Sequence, residues 1–250
     1  MSWKDIFPKE NRYFETKNGI LYCGDCLEIM KKFPEESIDL ILTDPPYQIS
    51  KKHNFDKMKD RKKKRTGTFF GNWDYFNIKI WKFVTKLISK NGSIVSFMAF
   101  EQYGEFFKIL TSCGFDIKDK IIWEKTNPFP RNRDRRYVPN IELIVWCVRK
   151  GAKWTFNRQN SKYESCVLKF PSESGARFKR FHPTQKPLEL LEYLVKTYSN
   201  EGDLVLDFTC GSGTTLVACE KLNRRWIGIE INPDYCKIAK ERIENVIRRK

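Results

Sequence analysis

The stretch Asp203-Leu-Val-Leu-Asp207-Phe-Thr-Cys-Gly211-Ser-Gly213-Thr-Thr215 decides the fold. Its apolar first half reads as a buried strand closing on a carboxylate. A glycine turn follows, and then a helical pattern over 214–222. A strand that turns through glycines into a helix lets a ligand approach the main chain closely. The next apolar run, Trp226-Ile-Gly-Ile-Glu230, ends in an acid 23 positions after Asp207. A carboxylate there can accept both hydroxyls of a ribose. The third glycine of the dinucleotide fingerprint is absent, because Leu216 stands in its place. The pair of runs therefore predicts a nucleoside ligand without a pyrophosphate. The plain alternative is a tight turn with no ligand.

Outward from this unit, seven short apolar runs read as strands: 19–22, 38–43, 93–98, 115–123, 141–148, 204–207 and 226–230. Helical patterns at 26–33, 75–89, 101–113, 187–198, 214–222 and 233–247 lie between several of them. Strands alternating with helices predict an α/β fold with a mostly parallel, seven-stranded sheet. The runs at 115–123 and 141–148 are joined without a clear helix, which suggests an antiparallel pair at one edge.

The run at 38–43 ends in Asp44-Pro45-Pro46-Tyr47. Prolines straight after a strand stop it, stiffen the loop and leave carbonyls as acceptors. Open α/β sheets place their sites at this carboxyl end. Asp44 adds a carboxylate and Tyr47 an aromatic face. Such a loop suits an amino group on a flat heteroaromatic ring, held by Asp44 and the Pro45 carbonyl and stacked on Tyr47. The bland alternative is an ordinary turn, since Asp and Pro are common turn residues.

Composition narrows the partner. The 250 residues are 40% hydrophobic and 31% charged, which fits a globular chain. Lys plus Arg number 47 against 31 acids, giving a net charge of +16 and predicting a polyanionic partner. No apolar run approaches the roughly 20 residues of a membrane span, and no signal peptide is evident at the start, so membrane association is not expected and a cytoplasmic location is. Eight cysteines are present, but only Cys23 and Cys26 are closely spaced, and the histidines are His53 and His182. No second ligand pair exists, so no metal site is expected. Two stretches break the strand–helix alternation. Residues 51–65 hold nine Lys and Arg against Asp56 and Asp60. Residues 131–180 are basic, turn-rich and dotted with Tyr137, Trp154, Phe156, Tyr163, Phe170 and Phe178.

Taken together, these motifs resemble the DNA amino-methyltransferases that use S-adenosylmethionine. Asp44-Pro45-Pro46-Tyr47 is similar to their catalytic motif, and Asp207 to Thr215 to their cofactor loop. Phe208-Thr209 stands where the commoner pattern reads Pro-Phe. His182-Pro-Thr184-Gln-Lys186-Pro187 is similar to a motif at the cofactor's carboxylate end, and Gly24-Asp25-Cys26 to a segment contacting its adenine. The catalytic loop precedes the cofactor loop by 163 positions, as in the permuted beta group. The resemblance implies a single catalytic domain over 1–250, with a basic loop at 49–72 and a target-recognition region at 130–180. It implies a cofactor site of Asp25, Cys26, His182, Thr184, Lys186, Asp207, Phe208, Cys210, Gly211, Ser212, Gly213, Thr214, Thr215 and Glu230. Double-stranded DNA is the expected partner, touched by Lys62, Lys63, Lys64, Arg65, Arg131, Arg133, Arg135 and Arg136. Because the target amine is buried in a duplex, the base must be flipped out. No cysteine follows a proline, which disfavours the cytosine-C5 enzymes with their Pro-Cys nucleophile. Asp at the head of the motif is commoner in the adenine enzymes, so adenine N6 is expected over cytosine N4. RNA or protein methylation, and a decayed DNA binder without activity, are the remaining alternatives. The resemblance leaves open a homodimer and an accompanying restriction endonuclease.

Overall fold

The computed structural model describes residues 2–46, 78–128, 134–135, 137–173 and 185–249. Among the described residues, nine strands form one sheet: β1 (Arg12–Glu15), β2 (Gly19–Cys23), β3 (Ile38–Thr43), β4 (Ile88–Met98), β5 (Phe115–Lys125), β6 (Ile141–Arg149), β7 (Val167–Phe170), β8 (Leu204–Asp207) and β9 (Arg225–Glu230). Their spatial order is β1-β2-β9-β8-β3-β4-β6-β5-β7. The central strands β2, β9, β8, β3 and β4 are all parallel. Both faces of such a sheet are covered, so these strands read as continuous apolar runs rather than alternating ones.

Helices α1 (Cys26–Met30), α2 (Trp81–Leu87), α3 (Tyr103–Ser112), α4 (Leu188–Tyr198), α5 (Thr214–Lys221) and α6 (Pro233–Ile247) split between the two faces. Ile20, Tyr22 and Ile41 point to the layer built with Ile29, Trp81, Val84 and Phe106 from α1, α2 and α3. Leu21, Leu40 and Leu42 point the other way, to Leu190, Leu194, Val217 and Ala239 from α4, α5 and α6. This is the two-residue alternation of a strand expressed as two cores.

The expected class is correct, but the strand count is not. Two four-residue edge strands were missed. β1, Arg-Tyr-Phe-Glu, is only half buried, so no apolar run marks it. β7 lies beside β5 and takes the edge position expected for the 115–123 and 141–148 pair. That pair is antiparallel as expected, with Ile121 opposite Ile144.

Leu216, where the third fingerprint glycine would stand, is fully buried. The close helix–strand approach that glycine normally permits is supplied from the strand instead. A Cβ on Gly228 of β9 would lie 2.4 Å from Leu216 Cδ1. Gly213, with φ +76, makes the turn into α5 in a region L side chains rarely adopt.

Candidate active site

The site is built at the carboxyl ends of the parallel strands. The chain leaves β3 at Asp44, β8 at Asp207, β9 at Glu230 and β2 just before Asp25. Strands β8 and β3 are neighbours, yet β9 continues the sheet to one side and β4 to the other. Between β8 and β3 is the topological switch point where doubly wound sheets bind their ligands.

On the cofactor side, Glu230 is fixed by main-chain donors. Gly211 N donates to its Oε2 at 2.9 Å and Asn232 N to its Oε1 at 2.8 Å. One bond to each oxygen fixes the carboxylate while leaving each oxygen further acceptor capacity. Burial pushes its pKa up, against the lowering effect of these amides. Gly24 N donates to Glu230 O at 2.9 Å, which draws the Gly24-Asp25-Cys26 segment alongside. Asp25 caps α1, accepting from Glu28 N at 3.0 Å. Burial, and next the Asp25 charge, push the Cys26 thiol up to about 12, so it stays a neutral packing group.

The loop between β8 and α5 is held from behind. Arg242 of α6 donates to Ser212 O at 2.6 Å and to Thr214 Oγ1 at 3.0 Å. Sequence reading missed Arg242, because nothing local in α6 says which turn it reaches. Phe208 and Cys210, both expected to touch the cofactor, bury their side chains in the core. The Phe208 ring packs edge-on against Trp81 with centroids 5.6 Å apart, and Cys210 joins the opposite core. A residue after a strand-terminal Asp lies on one sheet face or the other, and the sequence does not show which. What these two positions offer a ligand is main chain.

Asp207 is 4% exposed and joins the two halves of the site. Its Oδ1 accepts from Thr43 Oγ1 at 2.9 Å, and Thr43 immediately precedes Asp44. Thr43 Oγ1 also lies 2.8 Å from Thr209 Oγ1. Burial pushes Asp207 up to about 6, while its hydrogen bonds to Thr215 and Thr43 oppose that rise. A carboxyl whose folded pKa lies above its unfolded value favours the folded state below the unfolded pKa. That advantage is lost as pH rises through the folded value. Asp207→Asn removes this loss. Between pH 4.5 and 7.5, the stability difference between variant and wild type should therefore move in the variant's favour by about 2 kcal/mol. Urea denaturation at the two pH values measures it, and an unchanged difference contradicts the assignment.

On the catalytic side, Asp44 is partly exposed at the strand end. Lys186, from the motif before α4, stands on this side as well. Its ammonium hydrogen-bonds to Asp44 and lies 3.3 Å from Glu142 Oε2. Gln185, next in the chain, is within reach of the cofactor loop, with its Oε1 3.4 Å from Ser212 Oγ. The segment before α4 therefore touches both halves of the site. Pro45 and Pro46 follow Asp44 outside any helix or strand. Tyr47, Lys62, Lys63, Lys64, Arg65, Arg131, Arg133, Arg136, His182 and Thr184 lie outside the described residues, as does the 49–72 loop. Arg135 is exposed.

The aromatics of 137–173 do not form one surface. Trp154 and Phe156 pack on Trp146, at 6.2 and 5.4 Å between centroids, and Trp146 in turn meets Tyr198 at the end of α4. They tie the chain after β6 to the end of the sheet remote from Asp44. Tyr137, by contrast, is exposed beside the start of β6, at the Asp44 end.

The donor set fits S-adenosylmethionine. Glu230 offers two oxygens suited to a diol, and the glycine turn allows a ligand to approach the main chain closely. Comparison with known proteins agrees. Residues 38–241 match the model of the DNA methylase family of N6/N4 amino-methyltransferases. The type II methyltransferase M.HinfI of Haemophilus influenzae is 31% identical over 89% of this chain and 67% of its own length. The crystal structure of the M1.HpyAVI–SAM complex is similar at TM-score 0.71 and 36% identity, covering 90% of this chain and 98% of that one. The cytosine-N4-specific PvuII DNA methyltransferase shares the fold at TM-score 0.74 and 22% identity, over 96% of this chain and 95% of its own.

A mostly parallel sheet with a nucleoside-type site and an acceptor loop meeting at its switch point defines a group-transfer enzyme of the methyltransferase class. The chain belongs to the N6/N4 DNA methylase family, and its cofactor is S-adenosylmethionine. No helix among the described residues is long and apolar enough to cross a membrane.

Proposed function

We propose that the protein methylates the exocyclic N6 of adenine in a base flipped out of duplex DNA, as the modification methylase of a restriction–modification pair. The observation that carries the acceptor side is the Asp44 carboxylate at the end of β3, beside the cofactor strand β8. Support for adenine comes from the acid at the head of the motif, and for the pairing from type II relatives such as M.HinfI.

The amine of adenine is a poor nucleophile because its lone pair is delocalised into the ring. Asp44 and the Pro45 carbonyl accept its two hydrogens, which localises that lone pair. Tyr47 stacks on the base. Glu230 holds the ribose hydroxyls, and the 208–213 main chain and Asp25 line the cofactor's side of the switch point. S-adenosylmethionine supplies an electrophilic methyl on a sulfonium. Asp44 need not be a strong base, since the amine becomes acidic once methylated and its proton passes to solvent. The protein thus works by positioning and by stabilising developing positive charge. Lys62 to Arg65, Arg131, Arg133, Arg135 and Arg136 bind the duplex, with phosphate contacts setting affinity and base contacts setting the sequence read.

The test is product identity. Unmethylated DNA incubated with methyl-labelled cofactor, then digested to nucleosides, should carry its label in N6-methyl-2′-deoxyadenosine. Label in N4-methyl-2′-deoxycytidine overturns the choice of base and leaves the rest of the reading standing.

A further inference from the structure

Four charged side chains from four parts of the fold meet beside the acceptor loop. Asp44 follows β3, Lys186 precedes α4, Glu142 is the second residue of β6 and Lys125 closes β5. Lys125 Nζ lies 2.7 Å from Glu142 Oε1. Lys186 Nζ hydrogen-bonds to Asp44 Oδ2 and stands 3.3 Å from Glu142 Oε2. Lys186 is 8% exposed, and its ammonium also sits 5.0 Å from the centre of the Phe97 ring. Glu142 Oε2 is buried and makes no well-directed hydrogen bond among the described residues, so its pairing with Lys186 is mainly one of charge.

We propose that Lys186 is a positioning residue for the acceptor carboxylate: it holds Asp44 before DNA engages, and its ammonium turns to the open Glu142 Oε2 when the target amine takes up Asp44. The inference rests on Asp44 as the amine acceptor, and it holds for either base.

The physics favours a shared cation. A buried ammonium stripped of its carboxylate carries a large desolvation cost, and removing one partner of a buried pair is strongly destabilising. With Glu142 already 3.3 Å away, Lys186 can give up Asp44 Oδ2 without losing a counter-charge. An ammonium has three donors, and Glu142 Oε2 has unused acceptor capacity. Burial works against the charged form of Lys186, but the carboxylates of Asp44 and Glu142 outweigh it and hold the ammonium above the ordinary lysine range. Burial likewise works against the charge on Glu142, and Lys186 and Lys125 outweigh it there. Two acids and two lysines make the cluster neutral overall, so the handover moves no net charge into the protein.

The near-isosteric Glu142→Gln carries the test, because it keeps an oxygen for Lys125 and removes the charge that receives Lys186. It should lower kcat about tenfold while KM for DNA and Kd for the cofactor stay within about threefold. Lys186→Met should lower kcat about 100-fold with the same small change in cofactor Kd, and Lys186→Arg should recover part of that loss. The double variant should be no slower than Lys186→Met alone, since both act on one handover. Wild-type kcat in Glu142→Gln overturns the proposal. So does a Lys186→Met that keeps kcat and weakens cofactor binding, which would return Lys186 to the cofactor. Additive losses in the double variant would do the same. These failures leave Asp44 as acceptor if Asp44→Ala is inactive in the same assay, whereas an active Asp44→Ala removes the basis of both readings.

Discussion

Asp44→Ala should reduce methyl transfer at least about 1,000-fold, equivalent to about 4 kcal/mol of transition-state stabilisation. The reason is that Asp44 is the charged acceptor at the end of β3, and the Pro45 carbonyl alone cannot hold both amine hydrogens. The substitution leaves the cofactor side intact. Glu230 keeps its amide donors from Gly211 and Asn232. The Thr43 hydroxyl keeps Asp207. Lys186 keeps Glu142 at 3.3 Å, so its buried ammonium is not stranded. Equilibrium binding of S-adenosylmethionine should therefore stay within about threefold of wild type, a difference of well under 1 kcal/mol. A variant retaining more than about a tenth of the activity, a loss of only about 1.4 kcal/mol, contradicts the role given to Asp44.

The opposite pattern is expected at the other end of the switch point. Glu230→Ala removes a charged acceptor whose orientation is fixed before any ligand arrives. Hydrogen bonds to charged groups contribute about 1.5–3 kcal/mol each, so losing the pair to the ribose hydroxyls should weaken cofactor binding about 100-fold or more. Glu230→Gln keeps one acceptor oxygen and should fall between wild type and alanine. Isothermal titration with the cofactor reads both variants. An alanine variant that binds within about threefold of wild type removes the ribose from Glu230.

Much of this site is legible in the sequence because of the sheet's own chemistry. Parallel strands buried on both faces appear as apolar runs, and each run stops at its first functional polar residue. Asp44, Asp207 and Glu230 are such stops. The Gly211-Ser-Gly213 turn marks the entry to α5, and Leu216 correctly argues against a pyrophosphate. What sequence does not carry is which distant residues meet. Glu142 and Lys125 read as unremarkable strand ends, and Lys186 as part of a cofactor motif, yet the antiparallel β5–β6 pair sets the first two side by side and the segment before α4 carries Lys186 between Glu142 and Asp44. Arg242 reaches back to Ser212 from α6 for the same reason. Phe208 reads as a cofactor contact by its place in the motif, but the strand before it sends its ring to Trp81. Strands β1 and β7 escape notice because four residues at a half-exposed edge are too short a run to stand out.

The central claim is that cofactor and target amine are held by separate residues that meet between β8 and β3. Single-turnover methylation of DNA at saturating S-adenosylmethionine tests it most directly, with Asp44→Ala and Glu230→Ala run side by side. The expected result is a Glu230→Ala rate approaching wild type once its cofactor site is filled, and an Asp44→Ala rate at background despite full cofactor occupancy. Equal loss in both variants at saturation, or recovery of Asp44→Ala by added cofactor, would contradict that division of labour.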